Sequence, residues 1–213
     1  MHQHSVRAAR LRLDIAPSRF VILCAGRIVG PIAPRDGIDT VILACAMLYR
    51  HHGIDAMLVV IGAERRAEPR TGRGGGQGRD SGDDPELARL RHLARELDLA
   101  RHVRFAGSHP HAVLDDYHAA ADVFACTPWQ ASGVAARAVT RAMACALPVV
   151  GAAGGAIAAT VRDGATGYLV PPRDAATLCR CLARLQRQPL LARAMGMAGQ
   201  AQASAATHRK TSA

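Results

Sequence analysis

Short continuous apolar runs recur along the chain, most of them ending in glycine, and amphipathic stretches separate them. Residues 20–26 (FVILCAG), 56–62 (AMLVVIG), 102–107 (HVRFAG), 122–127 (DVFACT), 147–151 (LPVVG) and 167–172 (GYLVPP) are such runs. Unbroken apolar runs of this length are expected of strands buried on both faces, as in a parallel sheet. Between the first two runs, Val41, Ile42, Cys45, Met47 and Leu48 recur at near-helical spacing, and Gly53 stands where a helix would stop. Residues 84–100 predict a strong helix. Asp84 can cap it, Pro85 suits its first turn, and Leu87, Leu90, Ala94 and Leu97 line one face. Val113, Leu114 and Tyr117 mark a shorter helix. Leu178, Leu182 and Leu185 mark one starting at Asp174, and another begins near Pro189.

Strand and helix therefore alternate about six times, which predicts an α/β fold: a doubly wound, Rossmann-like parallel sheet. In such sheets ligands bind at the carboxyl ends of the strands. Those ends are the loops after Gly26, Gly62, Gly107, Cys126 and Gly151. Residues 1–19 read as a linker-like segment and 20–191 as the domain. Residues 192–213 read as a C-terminal helix with a polar tail. Residues 64–84, rich in Gly, Arg and Asp without apolar period, read as a mobile surface loop.

Composition narrows the picture. Hydrophobic residues make up 49% of the 213 but aromatics only 3%, so the core must be built from Ala, Val, Leu and Ile. No apolar run approaches the ~20 residues that span a bilayer. The N-terminus lacks the apolar centre of a secretory signal, so a cytoplasmic location is expected. The formal charge is +10, yet the basic residues are scattered arginines, Lys210 is the only lysine, and aromatics for stacking bases are scarce. An anionic substrate or a peripheral membrane contact fits this balance better than a nucleic acid. The six cysteines show no C-x₂₋₄-C spacing, so buried thiols are expected and no metal site.

Candidate chemistry lies on the strand-end loops. Arg27, directly after Gly26, and Arg35 suit a pyrophosphate or are solvated surface arginines. Gly154 and Gly155 precede a short apolar helix and either present amides to an anion or form an ordinary turn. Residues 127–151 contain no Asp, Glu, His or Lys. That loop can grip only through main-chain amides around Ser132, Gly133 and Val134, which suits a phosphate. His109 and His111 are the nearest titratable groups. Neither a Walker motif nor G-x-G-x-x-G is present.

These segments, taken in order, resemble the C-terminal, donor-binding half of family 4 glycosyltransferases, which have two facing Rossmann-like domains (the GT-B fold). The resemblance is carried by "AGRIV", "PRDGIDTVI", "HGIDAMLVVIG", "LARLRHLARELDLARHVRFAG", "LDDYHAAADVFACTPW", "AMACALPVVG" and "VRDGATGYLVPPRDAATL". It implies a retaining transferase using a nucleotide-diphosphate sugar, without a metal or other cofactor. It makes Arg27 the arginine that holds the donor diphosphate. Asp36 stands where the family has a lysine, with Arg35 beside it to compensate. The family's paired glutamates are missing: Arg141 occupies the second position, and neither Gln130 nor Ala131 supplies the first. Ala146 replaces a usual glycine. The resemblance also implies that the acceptor site and a catalytic histidine belong to a separate domain. Two readings follow. One is a donor-binding domain that transfers a hexosyl group to a glycan or lipid-linked acceptor when an acceptor domain complements it. The other is a truncated, inactive relict that binds a nucleotide or a partner.

Overall fold

The computed structural model describes residues 2–26, 37–62, 85–107, 109–129 and 133–211. Six strands form one parallel sheet: β1 (Phe20–Ala25), β2 (Ala56–Ile61), β3 (Val103–Gly107), β4 (Val123–Cys126), β5 (Val149–Ala152) and β6 (Gly167–Val170), in the order β3-β2-β1-β4-β5-β6. The expected doubly wound α/β sheet is the observed one. The order reverses between β1 and β4, where Leu23 lies opposite Phe124. This is the topological switch point.

Alternation along the strands sends side chains to two helical layers. Ile22, Cys24, Leu58, Val60, Val123, Ala125 and Val150 pack on one face, under α2 (Ile38–His52), α3 (Pro85–Glu96) and α7 (Ala175–Arg187). Val21, Leu23, Met57, Val59, Phe124 and Val149 pack on the other. That face is covered by α1 (His2–Arg12), α4 (His111–Ala120), α5 (Gly133–Ala144) and the single turn α6 (Gly155–Ala158). Cys24, Cys45, Cys126 and Cys179 are buried, as expected of small hydrophobes, and none of the six cysteines forms a disulfide. Burial pushes the Cys45 thiol up to about 12.

The helices end where local chemistry ends them. Gly53 closes α2 in the left-handed conformation (φ 62), its N–H meeting Leu48 O and Tyr49 O. Asp174 caps α7 by accepting from the Thr177 N–H at 2.8 Å.

At both ends of the chain the structure differs from the sequence expectation. Residues 2–12, read as linker, form α1, whose Arg10 is buried and fully engaged. Arg10 Nε donates to Ala120 O (3.0 Å), Nη1 to Pro17 O (2.6 Å), and Nη2 to Asp122 Oδ2 (2.7 Å). Arg104 from β3 donates to Leu13 O and Asp14 O at the end of the same segment. The boundary expected after Leu191 falls inside α8 (Pro189–Thr211). Met195 and Ala203 of α8 are buried, and a Cβ added at Gly196 would stand 2.0 Å from Ala146 O. Glycine there lets α8 lie directly against the turn before β5. The loop 64–84 lies outside the described residues.

Candidate functional site at the strand ends

Glycines draw the carboxyl ends of β1, β2 and β3 together. The Gly26 N–H donates to Ile61 O and the Gly62 N–H to Gly107 O, both at 3.0 Å. A Cβ added at Gly62 would stand 1.8 Å from Gly26 O, so no other residue fits there without movement. At the switch point, α2 is seated on the end of β4. Gly37 is left-handed (φ 66), the Thr127 hydroxyl donates to Gly37 O at 3.2 Å, and a Cβ at Gly37 would stand 1.9 Å from Thr127 O.

Helix N-termini converge on this rim. Gly133 opens α5, whose first turn carries no acidic residue, and Val134 beside it is exposed. The first amides of such a helix have no intrahelical acceptor and favour an anion by hydrogen bonding and dipole. The α2 terminus differs. Asp39 occupies its first turn, accepts from the Thr40 N–H at 2.8 Å, and lies 3.6 Å from Arg89. That carboxylate already answers the α2 dipole. After β5, Gly154 is extended (φ −165) with open space where a Cβ would point. Gly155 adopts φ 50, a conformation that favours glycine.

Of the candidate site residues, Gly26, Gly133, Val134, Gly154 and Gly155 are thus placed at or beside the rim. Arg27, Arg35, Asp36 and Ser132 lie outside the described residues. Arg141 sits eight residues into α5, about 12 Å along the axis from the helix start at about 1.5 Å per residue, and its Nη2 pairs with Asp115 Oδ1 at 2.8 Å. His109 lies 3.4 Å from the Tyr117 hydroxyl, with ring centroids 5.4 Å apart. Burial holds the Tyr117 phenol above its ordinary range. Among the described residues, no group of three His, Cys, Asp or Glu could hold a metal ion, and no helix is long and apolar enough to cross a membrane.

Sequence reasoning missed a pair at this end of the sheet. Trp129, beyond β4, is 45% exposed, and the Arg173 guanidinium carbon lies 4.2 Å from its ring centroid. Nothing in the one-dimensional pattern joins residues that follow different strands. The only signals were a lone tryptophan on a strand-end loop and an arginine beside a helix cap.

Comparison with known proteins bears on the family and the fold. The family model described as "Glycosyl transferases group 1" matches residues 9–202. A GDP-mannose-dependent alpha-(1-6)-phosphatidylinositol monomannoside mannosyltransferase from Mycolicibacterium smegmatis is 33% identical over 85% of this chain and 42% of its own length. HepE from Anabaena, solved with UDP and glucose, is 22% identical with a TM-score of 0.75, over 94% of this chain and 47% of that one. The C-terminal domain of a group 1 glycosyl transferase, LpcC from Francisella tularensis, aligns at a TM-score of 0.70 and 20% identity. There the match covers 96% of this chain and 92% of that one. The chain thus spans about two fifths of the length of the mannosyltransferase and nearly all of a solved C-terminal domain.

Proposed function

The chain belongs to the group 1 glycosyl transferases, and from that premise we infer that it is the donor-binding half of a two-domain transferase. It binds a nucleotide-diphosphate sugar across the switch point, and a separate acceptor-binding domain completes the cleft. The observation that carries this is the rim itself: glycine-tightened strand ends beside an α5 N-terminus without an acid in its first turn. Arg27 and Arg35 supply guanidinium groups from the loop after β1. Gly133, Val134, Gly154 and Gly155 supply main-chain amides, joined by the Ser132 hydroxyl and amide.

The chemistry follows from charge. As the bond between sugar and diphosphate breaks, negative charge grows on the departing phosphate oxygen. Donors fixed in advance around that oxygen stabilise the transition state more than the ground state. This needs no metal ion and no proton from the rim. The reading includes a cytoplasmic enzyme of carbohydrate biosynthesis whose acceptor is a glycan or a lipid-linked sugar, with a basic surface suited to peripheral membrane contact. The donor nucleotide of the mycobacterial relative is GDP-mannose and the ligand of the cyanobacterial one is UDP. Both belong to the class proposed here.

A second reading, a relict that binds without transferring, is favoured by Arg141. Where the resemblance expects an acid, an arginine is paired with Asp115. Titration calorimetry with UDP, GDP, ADP and their sugars separates the cases, with Arg27→Ala as the control. Binding that weakens in the variant supports the donor domain. Equal heats for both proteins would remove it. Sugar transfer by this chain alone is expected to be undetectable, and transfer restored by an added acceptor domain would set the relict reading aside.

A further inference from the structure

β3 is an outer strand of the sheet and pairs only with β2 among the described residues. On its α3 side a groove of about 440 Å³ opens. Among the described residues it is lined by Arg91, Ala94 and Arg95 of α3, by Ala100 of the following turn, and by Val103 and Phe105 of β3. Ala94 is buried, Val103 and Phe105 are half-buried, and Arg95 and Ala100 are exposed. A volume of this size falls within the usual range of small-ligand pockets, about 300–1,000 Å³. The groove lies apart from the strand-end rim. Ala100 and Val103 stand at the amino end of β3, whereas Gly107 stands at the rim, and β2 separates the groove from β1.

The acids nearest in the chain face other partners. Glu86 pairs with Arg89 at 2.7 Å, Glu96 lies 3.2 Å from His92, and Asp98 lies 3.8 Å from Arg50. Arg95 Nε donates to Arg91 O at 3.3 Å, and no carboxylate pairs with Arg95 among the described residues. The groove thus joins an apolar floor to a cation that no side chain of the groove neutralises. Its complement carries an apolar body for Ala94, Val103 and Phe105 and an anionic head for the guanidinium. A second copy of the chain fits poorly. The net charge of +10 repels it, and a two-fold contact here would set arginines against arginines. An added strand fits poorly as well. Phe105 lies opposite Val60 and Gly107 opposite Ile61, so Ala106 is an extra residue that bulges β3. A bulge turns an edge away from further pairing.

We propose that the groove between α3 and β3 binds a small amphiphilic anion, an apolar chain with a carboxylate or phosphate head, at a site distinct from the strand-end rim. The site rests on no part of the donor-domain reading. The full chain is titrated calorimetrically with octanoate and with octyl phosphate, and with octanol and inorganic phosphate as controls. Saturable binding is expected with at least one of the two amphiphiles, and the tighter arm identifies the head group. Octanol, which lacks the charge, should bind about tenfold more weakly, the usual effect of losing one charge-assisted hydrogen bond. Inorganic phosphate, which lacks the apolar body, should give no saturable heat at the same concentrations. Arg95→Gln should weaken binding of the amphiphile by about tenfold. Ala100→Phe fills the mouth of the groove and should abolish saturable binding. The same variant adds exposed apolar surface, so non-specific adsorption would rise in it rather than fall. Arg95 and Ala100 are both exposed, so both variants should keep the melting temperature of the parent.

Any of four results would overturn the proposal: no saturable heat at millimolar amphiphile, octanol binding as tightly as the anions, unchanged affinity in Arg95→Gln, or binding retained in Ala100→Phe. Sedimentation at rising protein concentration covers the competing occupant. Self-association that Ala100→Phe abolishes would assign the groove to a second copy and overturn the proposal too. Nucleotide heats bear on the strand-end rim alone. Their presence without amphiphile binding would remove this site and leave the donor domain, and amphiphile binding without them would do the reverse.

Discussion

Ala146 shows how one residue can carry a cost that the fold absorbs. It turns the chain from α5 into β5 at φ 59, its N–H donating to Met143 O at 2.9 Å. A left-handed conformation costs a residue with a Cβ about 1–2 kcal/mol. Glycine would remove that cost and lose about 0.4–1 kcal/mol through a freer unfolded chain. Ala146→Gly is therefore expected to stabilise the protein by up to about 1 kcal/mol, or about 2–4 °C for a chain of this size, read by thermal denaturation. His118 makes the opposite kind of demand. Its ring is buried against Phe124, and Nδ1 donates to Leu114 O at 2.7 Å. Burial, with a smaller contribution from Arg141, holds its pKa below the ordinary value of 6.5. The unfolded chain then binds this proton more readily. Stability is present in full above pH 6.5 and is lost as pH falls through the lowered folded value, by at most about 1.4 kcal/mol per pH unit from this one group. Urea unfolding from pH 7.5 to 5 should show that loss, and His118→Gln should lose less over the same range. Asp122, whose carboxyl is raised chiefly by burial, acts with the opposite sign but is common to both proteins.

At the scale of elements, α1 is held by arginines rather than by an apolar stripe. Arg10 ties it to the loops flanking β1 and β4, and Arg12 forks onto Asp116 of α4. Arg10→Met keeps the length of the side chain but leaves Asp122 partly buried without its cation. Breaking a buried pair from one side costs about 3–5 kcal/mol, and Asp122 is 38% exposed, so the expected loss is near the lower figure. Adding Asp122→Asn should recover part of it, measured by denaturant unfolding of the single and double variants. The same helix marks the limit of what the sequence discloses. The six strands were legible because parallel strands buried on both faces leave unbroken apolar runs, and α2, α3 and α7 because their apolar positions keep a helical period. Residues 2–12 hold few large apolar side chains, so nothing local distinguishes them from a linker. Their partners Ala120, Asp122 and Asp116, and Arg104 on the carbonyls of Leu13 and Asp14, are found only once the sheet is built. The start of α8 at Pro189 was legible, but its place in the fold was not: its packing on Ala146 depends on a missing side chain at Gly196. The site divides along the same line. Gly133, Gly154 and Gly155 could be named because they adjoin strand ends, whereas Trp129 and Arg173 meet only across β5.

For the molecule as a whole, the switch point divides the sheet into β1–β3 and β4–β6, joined by the β1–β4 ladder, the Gly37–Thr127 contact and the packing of α2 against α7. A diphosphate bound by the loop after β1 together with the amides after β4 and β5 would tie both halves, so binding should register in global stability and not only in local order. A ligand that binds only the folded state adds about 2.7 kcal/mol at a hundred times its Kd. For a chain of this length that corresponds to about 5–11 °C. UDP or GDP at saturating concentration should raise the melting temperature by that order. Pyrophosphate should give a smaller rise, since it engages the same donors without the nucleoside. Gly155→Ala tests the β5 side separately from Arg27. It places a Cβ on a residue at φ 50, so it should lower the melting temperature of the free protein slightly. If the turn amides hold phosphate, it should also shrink the nucleotide-induced rise by a larger amount. A rise of full size in Gly155→Ala would mean that the turn after β5 contributes no amide to the ligand and that the diphosphate is held from the β1 and α5 sides alone.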